Sequence, residues 1–274
     1  MAVGFSRDMW YNYIADRLHL PVASAVVHIK NGLTIAKDKG GNVIDQKTAN
    51  TGGNDIDVIQ AAIDYVYNNY GAGVVFLAAQ MFKAIRVDYG LTLPQGVSLI
   101  GEKPKAPTDI DGNAPGTKIY FWDDTSHDGI PMLTINGHAS QVRNIYFYGG
   151  LAYEGILIDS VRFCKLESIG INRAINYGVK LLGSTEPCAV NSLYDITVFN
   201  PTTYADGFVF EGIDYYSTQN TLINCVAYLK GGGTDNYGFR FVAKADNNRL
   251  FRCHCGGTGG QKLPAGAILN SGNP

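Results

Sequence analysis

The stretch that decides the fold is NYGFRFVAKADNNRLFRCHCGG, residues 236–257. Apolar and polar residues alternate in it as they do in a half-buried strand, the alternation breaks, and it then resumes. The second half contains the triplet Cys253-His254-Cys255, which is either a metal site or part of the wall of a repetitive structure. A repeat elsewhere in the chain decides between these two interpretations.

The chain does repeat the pattern apolar-x-x-apolar-x-apolar. It occurs at Val142/Ile145/Phe147, Leu166/Ile169/Ile171, Leu193/Ile196/Val198, Leu222/Cys225/Ala227 and Leu250/Cys253/Cys255, with starts 24, 27, 29 and 28 residues apart. A second pattern, glycine followed by an apolar residue, interleaves with the first at Gly155, Gly178, Gly207, Gly238 and Gly266. Two short strands in each repeat cannot bury their apolar faces unless the repeats stack. The sequence therefore predicts a parallel β-solenoid.

The solenoid gives the cysteine triplet a structural role. Equivalent positions in successive coils of a parallel stack lie about 4.8 Å apart and form ladders along the axis. Cys225, Cys253 and Cys255 fall in the inward ladders that Ile196 and Val198 also occupy, whereas His254 points outward. We therefore expect small hydrophobic side chains here and predict no metal site.

Composition narrows the function classes. Charged residues make up 17% of the 274 residues, while Gly occurs 33 times and Tyr 17 times, which favours an extended all-β surface with many turns. The net charge of -2 gives no basic footprint, so we expect no nucleic-acid partner. We also expect no membrane span and no signal peptide, since no apolar run approaches about 18 residues. Five cysteines are an odd number and indicate no disulfide framework.

The segment NDIDVIQAAIDYVYNNYGAG, residues 54–73, has the marks of a helix. It predicts a helix over residues 55–70 with Asn54 or Asp55 as N-cap and Gly71 as C-cap. The apolar residues at helical spacing are Ile56, Ile59, Ile63, Val66 and Tyr70. Because an open solenoid end exposes apolar ladders and strand edges, we expect this helix to cap one.

Residues 1–50 are predicted to form a separate segment. A short helix begins at Ser6 and ends before Pro21, and a hairpin with the turn Asn31-Gly32 follows. Apolar residues surround the helix: Phe5, Met9, Trp10, Ile14 and Leu18. This helix either packs on the side of the solenoid or is an anchor and oligomerisation segment that fastens it to a larger particle. Residues 51–274 form the solenoid, which we expect to continue beyond residue 274.

The N-terminal strands resemble a known family. The order DVIQAAID (57–64), GVVFLAAQMFKAI (73–85), LTLPQGVSLIGE (91–102) and GTKIYF (116–121) is similar to the opening of the pectate-lyase-like superfamily of right-handed parallel β-helices, which includes virus tailspikes and polysaccharide-active enzymes. The resemblance covers roughly residues 43–270 and implies an all-β, right-handed, single-stranded parallel β-helix. Ala79 to Phe82 depart from the Pro-x-Gly-x-Tyr of many members. Lyases, hydrolases, epimerases and binding proteins share this fold, so it does not fix the chemistry.

Two acidic residues are candidates for catalysis. Glu167 and Asp195 lie at outward positions of neighbouring coils, where strand spacing brings carboxyl groups within about 5–10 Å. Glycosidases use separations in this range. The alternative is that Glu167 forms an ordinary surface ion pair with Arg143.

Two further acidic clusters are either weak Ca²⁺ sites or polar turns. They are Asp123/Asp124/His127/Asp128 and Asp206/Glu211/Asp214. The spacing of the first cluster matches no dedicated calcium loop. We expect no cofactor, with Ca²⁺ as the alternative.

The positions of the tyrosines indicate a glycan-binding surface. Strand ends and loops carry Tyr148, Tyr153, Tyr177, Tyr204, Tyr215, Tyr216, Tyr228 and Tyr237, and exposed rings with polar tips lie well against sugars. Arg143 and Arg252 complete the predicted glycan-binding residues. Alternatively, the tyrosines only cover the edges of the coils.

Three functions are consistent with the sequence. The first is a virion attachment protein of the tailspike type, a homotrimer on the virion surface or outside the cell. It would bind host cell-surface glycans and contact other virion proteins through its N-terminal segment. The second is a polysaccharide lyase or glycoside hydrolase on the same fold. The third is a structural surface or appendage protein.

Overall fold

The computed structural model describes residues 23–102, 116–123, 127–150, 152–200, 205–230 and 237–258. Within these ranges the chain forms the helix α1 (Asn54–Tyr70) and 24 strands. The strands are β1 (Ala25–Lys30), β2 (Leu33–Asp38), β3 (Val43–Thr48), β4 (Gly73–Leu77), β5 (Met81–Ile85), β6 (Leu91–Leu93), β7 (Val97–Gly101), β8 (Thr117–Trp122), β9 (His127–Ile135), β10 (Gln141–Arg143), β11 (Ile145–Tyr148), β12 (Tyr153–Asp159), β13 (Lys165–Asn172), β14 (Ile175–Gly183), β15 (Cys188–Ala189), β16 (Ser192–Asn200), β17 (Asp206–Gly212), β18 (Ser217–Thr218), β19 (Thr221–Ile223), β20 (Val226–Lys230), β21 (Phe239–Phe241), β22 (Ala245–Asp246), β23 (Arg249–Phe251) and β24 (His254–Thr258). The predicted helix after Ser6 lies outside the described residues.

The strands form a β-solenoid, as predicted. The main sheet runs in the order β23-β19-β16-β13-β10-β7-β4-β1-β2-β3, with β5, β8, β11, β20 and β24 attached to it. A second sheet has the order β21-β17-β14-β12-β9-β6, and a third is β15-β18-β22. From β4 onward each strand pairs in parallel with strands of neighbouring coils.

The predicted ladders fill the interior. One inward ladder is Leu166, Leu193, Leu222 and Leu250, and another is Ile171, Val198, Ala227 and Cys255; Leu250 and Cys255, on the last described coil, are partly buried. Cys225 is fully buried, whereas Cys253 and Cys255 are partly buried and pack against the core. His254 is exposed. The prediction of hydrophobic ladder positions for these cysteines is confirmed.

Some coils contain more strands than predicted. The coil from Gly155 to Gly178 contains the expected two, β12 and β13, but the coil from Gly207 to Gly238 contains four, β17 to β20. In the latter coil a sharp bend at Asn224, which has a left-handed φ of 55°, separates β19 from β20. Equivalent left-handed residues in other coils are Asn144, Ser168, Asp195 and Arg252. A second column of left-handed bends is Ala139, Phe163, Val190, Gln219 and Asn247.

Helix α1 begins differently from the prediction. The residue before it is Gly53, and no side chain caps the helix, so a cap by Asn54 or Asp55 was wrong. Asp55 is instead fully buried in the first turn, where its carboxylate accepts hydrogen bonds from Thr34 Oγ1 at 2.5 Å and from the backbone N–H of Lys83 at 2.7 Å. These bonds hold the helix on β2 and β5. Gly71 ends the helix with a φ of 70°, as predicted.

The helix lies against the first coils. Its side chains Ile56, Ile59, Ile63 and Val66 are buried, and it packs on β1 to β7. Tyr70, which we predicted on the apolar face, is exposed. None of the described helices is long and apolar enough to cross a bilayer.

The hairpin of the first segment belongs to the main sheet. β1 and β2 are antiparallel and joined at Asn31-Gly32, as predicted, and β3 pairs with β2. β1 also pairs in parallel with β4. Hydrogen bonding therefore continues across the boundary that we placed at residue 50.

Candidate functional site

The outer side of the main sheet from β10 to β23 carries two rows of side chains, which we call the main-sheet face. One row is Arg143, Glu167, Tyr194, Ile223 and Phe251, and the other is Gln141, Lys165, Ser192, Thr221 and Arg249. These residues alternate with the buried leucine ladder, so they point away from the core. Each row places one side chain on each coil, in register along the axis.

A charge cluster lies at one end of this face. The Glu167 carboxylate lies 2.8 Å from Lys165 Nζ and 3.1 Å from Arg143 Nε. Lys165 also lies 5.3 Å from the centre of the Tyr194 ring, in a cation–π contact. The hydrogen bond from Lys165, together with the charge of Arg143, lowers the pKa of Glu167. The predicted pair of Glu167 with Arg143 is present, and the structure adds Lys165 to it.

The second predicted catalytic residue, Asp195, lies on the next coil at a bend with φ 52°. It is exposed, and its carboxylate accepts a hydrogen bond from Asn224 Nδ2 at 3.1 Å. Because Glu167 is held in its ionised form, its environment suits a base or a nucleophile and opposes a role as general acid. Catalysis by these two residues remains a prediction.

Replacing Glu167 with glutamine is expected to lower the free energy of unfolding by about 0.5–1 kcal/mol at neutral pH. Because the folded state lowers this pKa, the contribution of Glu167 is present above the ordinary glutamate pKa of about 4.3 and is lost as the pH falls through the folded value. The two proteins should therefore converge in stability in acid. Urea denaturation of both, in steps from neutral pH downward, measures this. A difference that grows toward acid would contradict it.

Three of the tyrosines predicted to bind glycans are buried, so the expectation of exposed rings was wrong for them. Tyr153 is 0% exposed, and its hydroxyl donates to the carbonyl of Val87 at 2.6 Å. The hydroxyl of Tyr177 donates to Glu154 at 2.8 Å. Tyr148 has one ring face stacked on Tyr120, with centroids 4.2 Å apart, and lies 5.5 Å from the Arg173 guanidinium. Their rings and hydroxyls are occupied by partners within the protein.

Two other residues that we predicted to bind glycans are exposed to solvent. Tyr228 is 41% exposed, and Arg252 is exposed. Tyr237 is partly buried and lies under Arg240 at 5.6 Å. Tyr204 lies outside the described residues, as do the predicted anchor residues Phe5, Met9, Trp10, Ile14 and Leu18.

Sequence reasoning did not assign Tyr194 or Phe251 to the site, although both occupy the outward row that the repeat alignment identifies. Phe251 is 52% exposed at the end of the row opposite the charge cluster. The signal that could have found them is their position in the repeat, one residue after the first apolar position.

Three acidic residues of the two clusters have partners within the protein, and Asp124 lies outside the described residues. Asp123 lies 2.7 Å from His127, Asp206 pairs with Arg240 at 3.1 Å, and Glu211 pairs with Lys180 at 2.5 Å. Asp214 is exposed. Nowhere in the described part of the chain do three or more His, Cys, Asp or Glu side chains form a group that could hold a metal ion.

Comparisons with known proteins bear on the fold. No protein-family model and no curated protein sequence matches the chain. Among solved structures, ORF18 of Geobacillus virus E2 superposes with a TM-score of 0.55 at 15% identity, over 93% of this chain and 56% of that one. The A-module of the mannuronan C-5 epimerase AlgE4 of Azotobacter vinelandii gives 0.40 at 19% identity, over 77% and 71%. A tailspike protein of E. coli bacteriophage HK620 gives 0.42 at 13%, over 78% and 45%.

Identities this low concern the fold alone. The chain spans about half the length of ORF18. Its ladders and sheet order are those of a parallel β-solenoid, and the likeness to ORF18 concerns this fold.

Proposed function

We propose that this chain is the β-helical part of a virion attachment protein of the tailspike type, and that its main-sheet face binds a polysaccharide on the host cell. The observation that carries the proposal is the in-register row from Arg143 to Phe251, in which four of the five coils present a charged or aromatic side chain and the fourth coil presents Ile223. The fold shared with a protein of Geobacillus virus E2 supports a place in a virion.

The row fits a linear ligand. A polysaccharide repeats its units along one direction, and the solenoid offers a side chain about every 4.8 Å along its own axis. The exposed ring of Phe251 provides an apolar surface for a sugar face. Arg249 and Arg252, which flank it and are exposed, supply hydrogen-bond donors for hydroxyl or carboxylate groups. Sugar stacking at one end and charge recognition at the other would fix the direction of the chain.

The attachment protein would also assemble with copies of itself and with other proteins of the virion. The subunits would form a homotrimer on the virion surface or outside the cell, and the segment with Phe5, Trp10 and Leu18 would attach it to other virion proteins. Tyr228 and Tyr237 would add contacts where the main sheet meets the second sheet. Binding would need no cofactor.

Replacing Phe251 with alanine is expected to weaken polysaccharide binding about tenfold, which corresponds to about 1.4 kcal/mol, the upper range for an aromatic contact. Binding isotherms with neutral and uronic-acid polysaccharides and with whole cells measure this. Phe163→Ala is the matched control, because Phe163 is 64% exposed but lies at a corner outside the main-sheet face. Equal losses in both variants, or no saturable binding by the unaltered protein, would contradict the proposal.

A second function, polysaccharide cleavage, is favoured by the placement of Glu167 and Asp195 on neighbouring coils. The same incubations, with and without Ca²⁺, are assayed for unsaturated products and new reducing ends. Products that disappear in Glu167→Gln or Asp195→Asn would favour an enzyme. If neither binding nor product is detected, a structural role remains.

A further inference from the structure

We propose that Cys225 and Cys253 form a modification site, at which a low-molecular-weight disulfide such as oxidised glutathione converts the two thiols into a disulfide bond. The bond would join residues one full coil apart, 28 positions along the chain, and would close that coil covalently. The cysteine count does not predict this bond, because an odd number of cysteines with irregular spacing indicates no disulfide framework.

The register places the two cysteines opposite each other. Ile223 pairs with Phe251 on one side of them and Val226 pairs with His254 on the other, at the same offset. The backbone N–H of His254 donates to the carbonyl of Cys225 at 2.9 Å. Neighbouring parallel strands lie about 4.8 Å apart, within the Cα separation of about 4.4–6.8 Å that disulfides require.

Both side chains lie on the inward side of their coils. The sulfur of Cys253 lies 3.6 Å from the carbonyl oxygen of Leu222, in the coil that contains Cys225. The two thiols lie close enough to perturb each other's ionisation. This interaction lowers the pKa of Cys253 and, together with burial, raises the pKa of Cys225. Cys253 is partly exposed and Cys225 is fully buried, so the thiol that ionises first is also the accessible one.

These differences set the order of the chemistry. The Cys253 thiolate attacks one sulfur of oxidised glutathione, which forms a mixed disulfide and releases one glutathione thiolate. The Cys225 thiol then gives its proton to a thiolate, and its sulfur attacks Cys253 Sγ. This step forms the protein disulfide and releases the second glutathione. The two cysteines are oxidised, and the glutathione disulfide is reduced to two thiols.

The pairing is specific within the described coils. Cys188 lies opposite Ser217, and Cys255 lies opposite Ala227. Cys164, also buried, is followed by Lys165, which lies opposite Ser192, so its own neighbour is Asn191. No other described cysteine therefore has a cysteine stacked on it.

The test is thiol mapping of the reduced full chain after incubation with mixtures of reduced and oxidised glutathione. After acid quenching, alkylation and digestion, mass spectrometry should find one peptide pair linked through Cys225 and Cys253, with the loss of two free thiols. The thermal midpoint of the oxidised protein should rise by several degrees, because the bond restricts the unfolded chain.

Two variants complete the test. Cys253→Ser should abolish the linked pair, whereas Cys255→Ser, two residues along the same chain and also partly buried, should keep it. Mapping of the unaltered protein stands even if a variant fails to fold. The proposal is overturned if glutathione stays on Cys253 as a mixed disulfide, if Cys253 links to Cys255, or if neither thiol reacts.

Discussion

Gly155→Ala is expected to lower the free energy of unfolding by at least about 3 kcal/mol, or to prevent folding. A Cβ atom at Gly155 would lie 1.7 Å from the carbonyl oxygen of Gly178 in the next coil. That oxygen belongs to the backbone and cannot rotate away as a side chain would. The pairing of β12 with β14 also shifts its register between Glu154 and Ile156, so the residue between them lies at a bulge. Urea denaturation followed by circular dichroism measures the loss.

The control for this substitution is Gly40→Ala. Gly40 lies in an exposed turn, where the atoms nearest to an added Cβ belong to the side chains of Asn42 and Asp38, both at 3.3 Å. Small side chains can move, so we expect a change within about 0.5 kcal/mol. An unchanged denaturation midpoint for Gly155→Ala would show that neighbouring coils do not approach as closely as the structure places them.

The equivalent glycines of the following coils are also closely packed, there against side chains of the apolar ladder, and this packing explains why the repeat could be predicted. Added Cβ atoms at Gly178, Gly207 and Gly238 would lie 2.3 Å from Val198 Cγ1, 2.5 Å from Ala227 Cβ and 2.3 Å from Cys255 Sγ. The second glycine pattern therefore faces the apolar ladder of the first. Packing requires glycine at one position of each coil and an apolar ladder residue at the position that faces it. Both positions therefore recur in the sequence, and their recurrence predicts the coils and the spacing between them.

The bends could not be predicted in the same way. Residues as different as Asn224, Val190 and Phe163 occupy left-handed positions, although a branched or bulky residue is disfavoured there. Local preference favours asparagine among these residues, but nothing in the identity of Val190 or Phe163 indicates a bend. In the coil from Gly207 to Gly238 the run across Asn224 was interpreted as a single strand, and the number of strands in that coil came out too low.

In the candidate site, too, some features could be predicted from the repeat and others could not. The pair of Arg143 and Glu167 followed from the alignment of repeats, because both positions lie in one outward row. The burial of Tyr153 did not, because its hydroxyl partner Val87 is 66 residues away in a part of the chain without the regular repeat. A position near a strand end does not tell which way a ring turns.

Asn220→Leu is expected to lower the free energy of unfolding by about 4 kcal/mol. Asn220 is fully buried, and its Oδ1 accepts from both the backbone N–H and the Nδ2 of Asn191, at 3.1 and 3.0 Å. Its Nδ2 donates to the Cys188 carbonyl at 3.1 Å and to Asn248 Oδ1 at 3.0 Å. Leucine has nearly the same shape but leaves the backbone N–H of Asn191 and the carbonyl of Cys188 without these partners, at about 1–3 kcal/mol for each unsatisfied group. Urea denaturation measures the change.

Asn69→Leu on the exposed side of α1 is the control, because the side chain of Asn69 is exposed and bonds to the Tyr65 carbonyl within its own helix. We expect a change within about 0.5 kcal/mol there. Asn191, Asn220 and Asn248 form a ladder of stacked amides on successive coils. This asparagine ladder also predicts that substitutions in it are coupled, since Asn191 is buried and shares its hydrogen bonds with Asn220. Once Asn220→Leu has removed these bonds, adding Asn191→Leu should cost less than it does alone, by about 0.5–3 kcal/mol. Strictly additive losses would mean that each amide is held by its own coil, and the ladder would then not join one coil to the next.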